Sequence, residues 1–221
     1  MFDITKLALK IPNFLTHEEC DGLISEFKQR KNESFPEMSS NAKSGKIETN
    51  NYKVVSLKPN TNNFNFIRHK TKLALDIWIK HLEQPNYFFT KDLKNRLKFS
   101  HSYRIMEYKI GESIHPHVDF AESVYGSISF NLNDNYEGGD FKFFNGNYTI
   151  PLSKGDALIF PADYFWVHEV TKVTKGERYS LNSFICNTPF EAQKHADYLT
   201  KLVINDYINN TSPEHLLGPY N

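Results

Sequence analysis

Several things are scarce in this chain. Cysteine occurs twice in 221 residues, at Cys20 and Cys186. Two thiols so far apart exclude a disulfide framework and any closely spaced thiolate metal site, and the expectation is a pair of buried free thiols in a reducing compartment. Charge of one sign is missing: 26 Lys and Arg stand against 26 Asp and Glu, a formal net charge of +0. With no long basic block either, nothing in the sequence points to a nucleic acid or a membrane surface as a partner. No apolar run approaches the roughly 20 residues of a membrane span. The opening stretch, MFDITKLALKIPNF, lacks the basic region followed by an apolar one that marks a signal peptide. These absences lead to the expectation of a cytoplasmic protein. Arginine is also scarce, at five residues in a lysine-rich chain. An arginine at a motif position therefore carries more information than a lysine.

What is present divides the chain into three parts. Residues 1–97 read as a support region of mixed helix and strand, 98–186 as a β-rich core, and 187–221 as a C-terminal helix and tail, all within one domain. Thr16 and Glu19 form a capping box ahead of a helix over 17–30, with Cys20, Leu23, Ile24 and Phe27 on one face. Residues 31–51 are polar, with few apolar anchors, and read as a long surface loop acting as a mobile lid. Tyr52 to Leu57 has strand character. Phe64 to Leu82 carries Ile67, Leu73, Ala74, Ile77 and Trp78 at helical spacing. From 98 to 186 short apolar and polar alternations are broken by turn signals, among them Asn133-Asp134-Asn135, Gly138-Gly139, Gly155-Asp156 and Lys175-Gly176. That punctuation indicates a sandwich, jelly roll or barrel. Residues 189–208 return to helical spacing.

The chemistry-bearing residues lie inside the β-rich part. His117 and Asp119 are two apart, so on extended backbone their side chains share a face. His168 lies in another strand-like stretch that a β-fold can bring opposite. Two histidines and one carboxylate are the ligand set of a non-haem Fe(II) site with open positions. Arg178 follows ten residues after His168. Its planar fork suits bidentate binding of a carboxylate. Ser180, Asn182 and Phe184 alternate with it along one strand and share its face.

A longer ordered set surrounds these residues. Tyr108-Lys109-Ile110-Gly111, His117-Val118-Asp119, Phe130-Asn131-Leu132-Asn133, Tyr136-Glu137-Gly138-Gly139-Asp140-Phe141, Gly155-Asp156, Phe160-Pro161, His168-Glu169-Val170 and Gly176-Glu177-Arg178-Tyr179-Ser180 occur in that sequence. Over roughly residues 98 to 186 the chain resembles the prolyl 4-hydroxylase-like branch of the Fe(II)/2-oxoglutarate-dependent dioxygenases. The resemblance implies a mainly β fold, a double-stranded β-helix of the jelly-roll or cupin type, with helices packed outside. It implies Fe(II) held by His117, Asp119 and His168. It gives Arg178 the far carboxylate of 2-oxoglutarate, with Tyr108, Ser180 and Asn131 as further cosubstrate contacts. The expected activity is hydroxylation of an unactivated C–H, on a prolyl or other amino-acid residue. 2-Oxoglutarate and O2 would be cosubstrates, succinate and CO2 products, and ascorbate a reductant.

Two features stand apart from that pattern. His115 precedes His117 by two residues, which opens a cupin-like His-x-His reading with Glu122 as a further ligand. Such a metal-binding β-roll, without turnover or with a different one, is the alternative function. Arg104, four residues before Tyr108 and on its face, is set to contact an anionic substrate or cosubstrate, or else to pair with a carboxylate. The substrate itself, protein, peptide or small molecule, has no readable code in 31–51 or 120–126. Oligomeric state has none anywhere in the chain.

Overall fold

The computed structural model describes residues 3–84, 90–119 and 123–189, with 192, 198–199 and 201–203. Sixteen principal elements lie among them. In chain order they are β1 (Leu9–Ile11), α1 (His17–Gln29), β2 (Phe35–Asn41), β3 (Lys46–Ser56), α2 (Asn62–Glu83), α3 (Thr90–Arg96), β4 (Phe99–Tyr108), β5 (Ile114–His117), β6 (Val124–Asn131), β7 (Glu137–Gly138), β8 (Phe141–Phe143), β9 (Tyr148–Ile150), β10 (Ala157–Pro161), β11 (His168–Val170), β12 (Val173–Lys175) and β13 (Arg178–Cys186). Seven strands form the major sheet in the order β1-β10-β6-β13-β4-β3-β2. Four form the minor sheet, β5-β11-β8-β9, and β12 pairs with β7. All pairings are antiparallel. The two sheets make the expected double-stranded β-helix.

Both faces of the major sheet are buried, but by different neighbours. On β13, Tyr179, Leu181 and Ile185 belong to an apolar cluster with Leu23 and Phe27 of α1 and Ile67, Ala74 and Trp78 of α2. Each such side chain contributes about 1.5–3 kcal/mol on burial. The alternate residues Arg178, Ser180 and Asn182 point the other way, into a cavity they share with His117 and His168 of the minor sheet. A second apolar cluster fills the space between the sheets, with Met106, Tyr108, Phe141, Phe143, Phe160 and Trp166.

The capping box of α1 forms as read: the Thr16 hydroxyl accepts from Glu19 N and the Glu19 carboxylate accepts from Thr16 N. The face of α2 differs from expectation. Leu73 and Ile77 are exposed, while Thr71 is buried with its hydroxyl 3.0 Å from Ser183 Oγ. A small polar residue fits the closest approach of helix to sheet once a hydroxyl on the strand satisfies it.

Residues 31–51 are corrected from loop to hairpin. β2 and β3 pair from Phe35↔Val54 to Asn41↔Lys46. At the turn, Asn41 Oδ1 accepts from Lys43 N and Ser44 N, and Gly45 takes φ +67°. Main-chain pairing holds this segment, so it needs little apolar alternation, and composition alone misread it. The strand expected over 52–57 is the second half of β3. The helix expected over 189–208, the tail after it and residues 120–122 lie largely or wholly outside the described residues.

Candidate metal centre

β5 and β11 are cross-strand neighbours, and His117 pairs directly with His168. Directly opposite residues project to one face, so the two rings meet with centroids 4.2 Å apart. Asp119 follows the end of β5. Its Oδ1 lies 3.4 Å from His117 Nε2 and its Oδ2 3.4 Å from His168 Nε2. The three ligating atoms all fall within 4.8 Å of one another.

The main chain sets the tautomer of both rings. His117 Nδ1 lies 2.9 Å from the His115 carbonyl, and His168 Nδ1 lies 2.9 Å from the Trp166 carbonyl. A carbonyl only accepts, so each Nδ1 carries a proton and each Nε2 faces Asp119. This is the usual way a protein orients ligating imidazoles. Burial by itself pushes the Asp119 carboxyl up, but His168 and His117 outweigh it and hold the group well below the usual carboxylate range. An ionised carboxylate and two ring Nε2 atoms converge on one point, where a cation would take all three as ligands. The donor set, one carboxylate and two imidazoles, fits Fe(II) with open positions. Phe141 stacks on the His168 ring at 5.3 Å and Phe160 meets it edge-on at 4.8 Å, which keeps that ring in place and the site dry.

A narrow cavity runs from His117 and His168 to Arg178 and Ser180. Arg178 is 1% exposed. One terminal N–H donates to Ser180 Oγ at 3.0 Å, the guanidinium lies 5.1 Å over the Tyr108 ring, and Nε has no protein partner. Among the described residues no carboxylate pairs with it. A buried guanidinium without an anion is costly, and the cavity beside it is where an anion would enter. The Tyr108 hydroxyl lies 3.6 Å from the Met106 sulfur and also faces Arg178 and Tyr52. Burial, opposed by Arg178 and Arg104, pushes that hydroxyl up to about 12, so it is a neutral donor. Gly139 keeps the space beside Arg178 open: its φ is +65°, and a Cβ there would lie 2.7 Å from Arg178 Cδ.

Asn131 is not placed as expected. Its amide nitrogen donates to the carbonyls of Asn133 and Leu152, and its oxygen accepts from the Tyr136 hydroxyl. With these groups engaged, it fixes the turn after β6 instead of offering a cosubstrate contact. His115 does not join the ligand cluster; its Nε2 lies 2.9 Å from Ser39 Oγ on β2. Glu122 lies outside the described residues. Arg104 is paired with Glu37 of β2, and Tyr52 donates to the same carboxylate at 2.6 Å. Glu37 and Ser129 were not anticipated. The parity of β6 with Asn131 was a signal for Ser129. Glu37 had none, because its place depends on the hairpin.

Residues 103–186 match the family model of the 2OG-Fe(II) oxygenase superfamily. A multifunctional procollagen lysine hydroxylase and glycosyltransferase from Caenorhabditis elegans is 28% identical over 117 residues, covering 50% of this chain and 15% of that protein. This chain thus spans a small part of the curated relative it matches. Among solved structures, a Pseudomonas putida prolyl-4-hydroxylase superposes with TM-score 0.59 at 17% identity, over 82% of this chain and 92% of that one. A prolyl hydroxylase from Trichoplax adhaerens, solved with a hypoxia inducible factor peptide fragment, gives TM-score 0.61 at 16% identity, over 83% and 84% of the two chains. These likenesses are of fold. The family match covers residues 103–186, and the solved structures share the fold around them.

Proposed function

We propose that the chain is an Fe(II)- and 2-oxoglutarate-dependent hydroxylase acting on an amino-acid side chain, either in a peptide or in a small molecule. The observation that carries this reading is a single cavity with three convergent ligand atoms at one end and a buried, anion-free arginine at the other. His117, Asp119 and His168 would hold the metal. Arg178 binds the far carboxylate of 2-oxoglutarate, with Ser180 orienting the guanidinium and Tyr108 donating its phenol proton. When bound, Fe(II) with 2-oxoglutarate and O2 supplies an oxidant for an unactivated C–H, and succinate and CO2 are released. The aromatic wall of Phe141, Phe143 and Phe160 excludes water, which shields the reaction from side reactions.

The non-catalytic β-roll is the weaker reading, because the ligand set and the arginine are all present in one cavity. Succinate formation from 2-oxoglutarate, with Fe(II) and ascorbate, tests the proposal. Release that requires Fe(II), even uncoupled from a prime substrate, supports it. A protein that binds Fe(II) yet forms no succinate sinks it in favour of the β-roll.

A further inference from the structure

The inner face of the major sheet is ruled into rows by the register of β4, β13 and β6. Tyr108 pairs with Arg178. Met106 pairs with Ser180, and Ser180 with Asn131. Arg104 pairs with Asn182, and Asn182 with Ser129. The third row lies four residues from the first, about 13 Å along the strands. It is polar throughout, and each member carries a buried atom with no protein partner: Arg104 Nε, Asn182 Oδ1 and Ser129 Oγ. Buried polar atoms are nearly always paired, so three unpaired in one row mark a place built for something else. Asn182 and Ser129 also line the cavity that holds His117 and His168.

The chemistry of the row is specific. Arg104 offers a fixed cationic fork, and its guanidinium lies 5.0 Å over the Phe184 ring. Asn182 Oδ1 is an acceptor, and Ser129 Oγ both donates and accepts. The one carboxylate paired with Arg104 among the described residues is Glu37, which reaches in from β2.

The geometry points to this row as the recognition subsite for the prime substrate. It takes a carboxylate with an N–H donor on the neighbouring carbon, and Glu37 is the stand-in carboxylate that such a substrate displaces. A free α-amino acid and the C-terminal residue of a peptide share that chemistry. This assignment deepens the hydroxylase reading and rests on it. Arg104 binds the carboxylate, and Asn182 and Ser129 accept from the N–H.

Calorimetric titration of the full chain separates the subsite from turnover. The probes are the twenty free L-amino acids and N-acetyl dipeptides, each as the acid and as the carboxamide. At least one acid is expected to bind at least about 10-fold more tightly than its amide. The free amino acids and the dipeptides distinguish the two sources. Arg104→Met should weaken that acid about 30-fold and abolish the preference over the amide. Glu37→Gln should tighten the acid several-fold, because it removes a competitor. A purely structural ion pair predicts the opposite sign for Glu37→Gln. No acid preferred over its amide, undiminished binding in Arg104→Met, or weaker binding in Glu37→Gln each overturns the subsite. Absence of succinate in the wild type sinks the hydroxylase reading separately, whatever the titrations give.

Discussion

Two arginines share the inner face of one sheet, and they are in opposite states. Arg178 is sealed in, with a serine hydroxyl and a tyrosine ring for company and no anion. Arg104, two rows away, already has a carboxylate from its own chain. The difference comes from what each end of the cavity is closed by. At the Arg178 end the walls are β8 and the glycine turn before it, and among the described residues no acid there pairs with the guanidinium. At the Arg104 end the wall is the β2–β3 hairpin, which brings Glu37. A buried cation without a partner depends on a ligand, whereas one with an internal partner can wait for it. The first end is therefore poised for an anion that is always required, and the second for one that comes and goes.

The group between the two ends is the most sensitive. Asp119→Ala removes the carboxylate that both Nε2 atoms face. The loss in Fe(II) affinity should exceed the roughly 100-fold seen for supporting residues around a metal, and hydroxylation should cease. Equilibrium dialysis with Fe(II) under argon measures this directly, and retained affinity would falsify the ligand assignment. The next largest effect falls at one end only. Arg178→Ala leaves the cosubstrate carboxylate buried and unpaired, a cost of roughly 2–5 kcal/mol, or about 30-fold and more in the 2-oxoglutarate requirement. Arg178→Lys should fall between, since it keeps the charge and loses the fork. A 2-oxoglutarate titration of succinate release reads both variants, and an unchanged requirement in Arg178→Ala counts against the anchor.

How far these residues were legible in the sequence follows the same division. His117, His168 and Arg178 lie on strands and Asp119 just beyond one, where alternation and turn signals are local, so residue type, spacing and order could bring them to one face. The strand-and-turn pattern reached only a sandwich, jelly roll or barrel, and the family resemblance narrowed that to a double-stranded β-helix. The hairpin was not legible, because its stability comes from main-chain pairing with β4 and from polar side-chain bonds across the sheet edge. Asn131 shows a third case. Its strand and face were readable, but its partners Asn133, Leu152 and Tyr136 come from turns whose paths the pattern of residues does not give.

Gly139 sharpens the comparison at the Arg178 end. At φ +65° an alanine pays the left-handed penalty of about 1–2 kcal/mol. Its methyl would also sit 2.7 Å from Arg178 Cδ, so the guanidinium must shift. Gly139→Ala should lower the melting temperature by roughly 2–4 °C per kcal/mol. It should also raise the 2-oxoglutarate requirement, by less than Arg178→Ala does. A variant that melts lower but titrates with 2-oxoglutarate like the wild type would separate the turn from the anchor.

The smallest expected effect tests the other end. Ser39 Oγ lies 2.9 Å from His115 Nε2 and accepts from Asn50 Nδ2 at 2.9 Å. With the Ala42 N–H donating to the Pro116 carbonyl at 2.7 Å, it ties β2 to the strand that carries His117. Ser39→Ala removes the side-chain tie and keeps the main-chain one, a loss of about 1 kcal/mol. The hairpin amides should then exchange with deuterium about 5-fold faster, and those of β13 should be unchanged. Because Glu37 rides on the same strand, its hold on Arg104 loosens while Arg178 is untouched. The 2-oxoglutarate requirement should therefore stay at the wild-type value. Faster exchange spreading into β13, or a raised 2-oxoglutarate requirement, would mean that the two ends of the cavity are coupled through the sheet and that the contrast between the arginines is not one of separate walls.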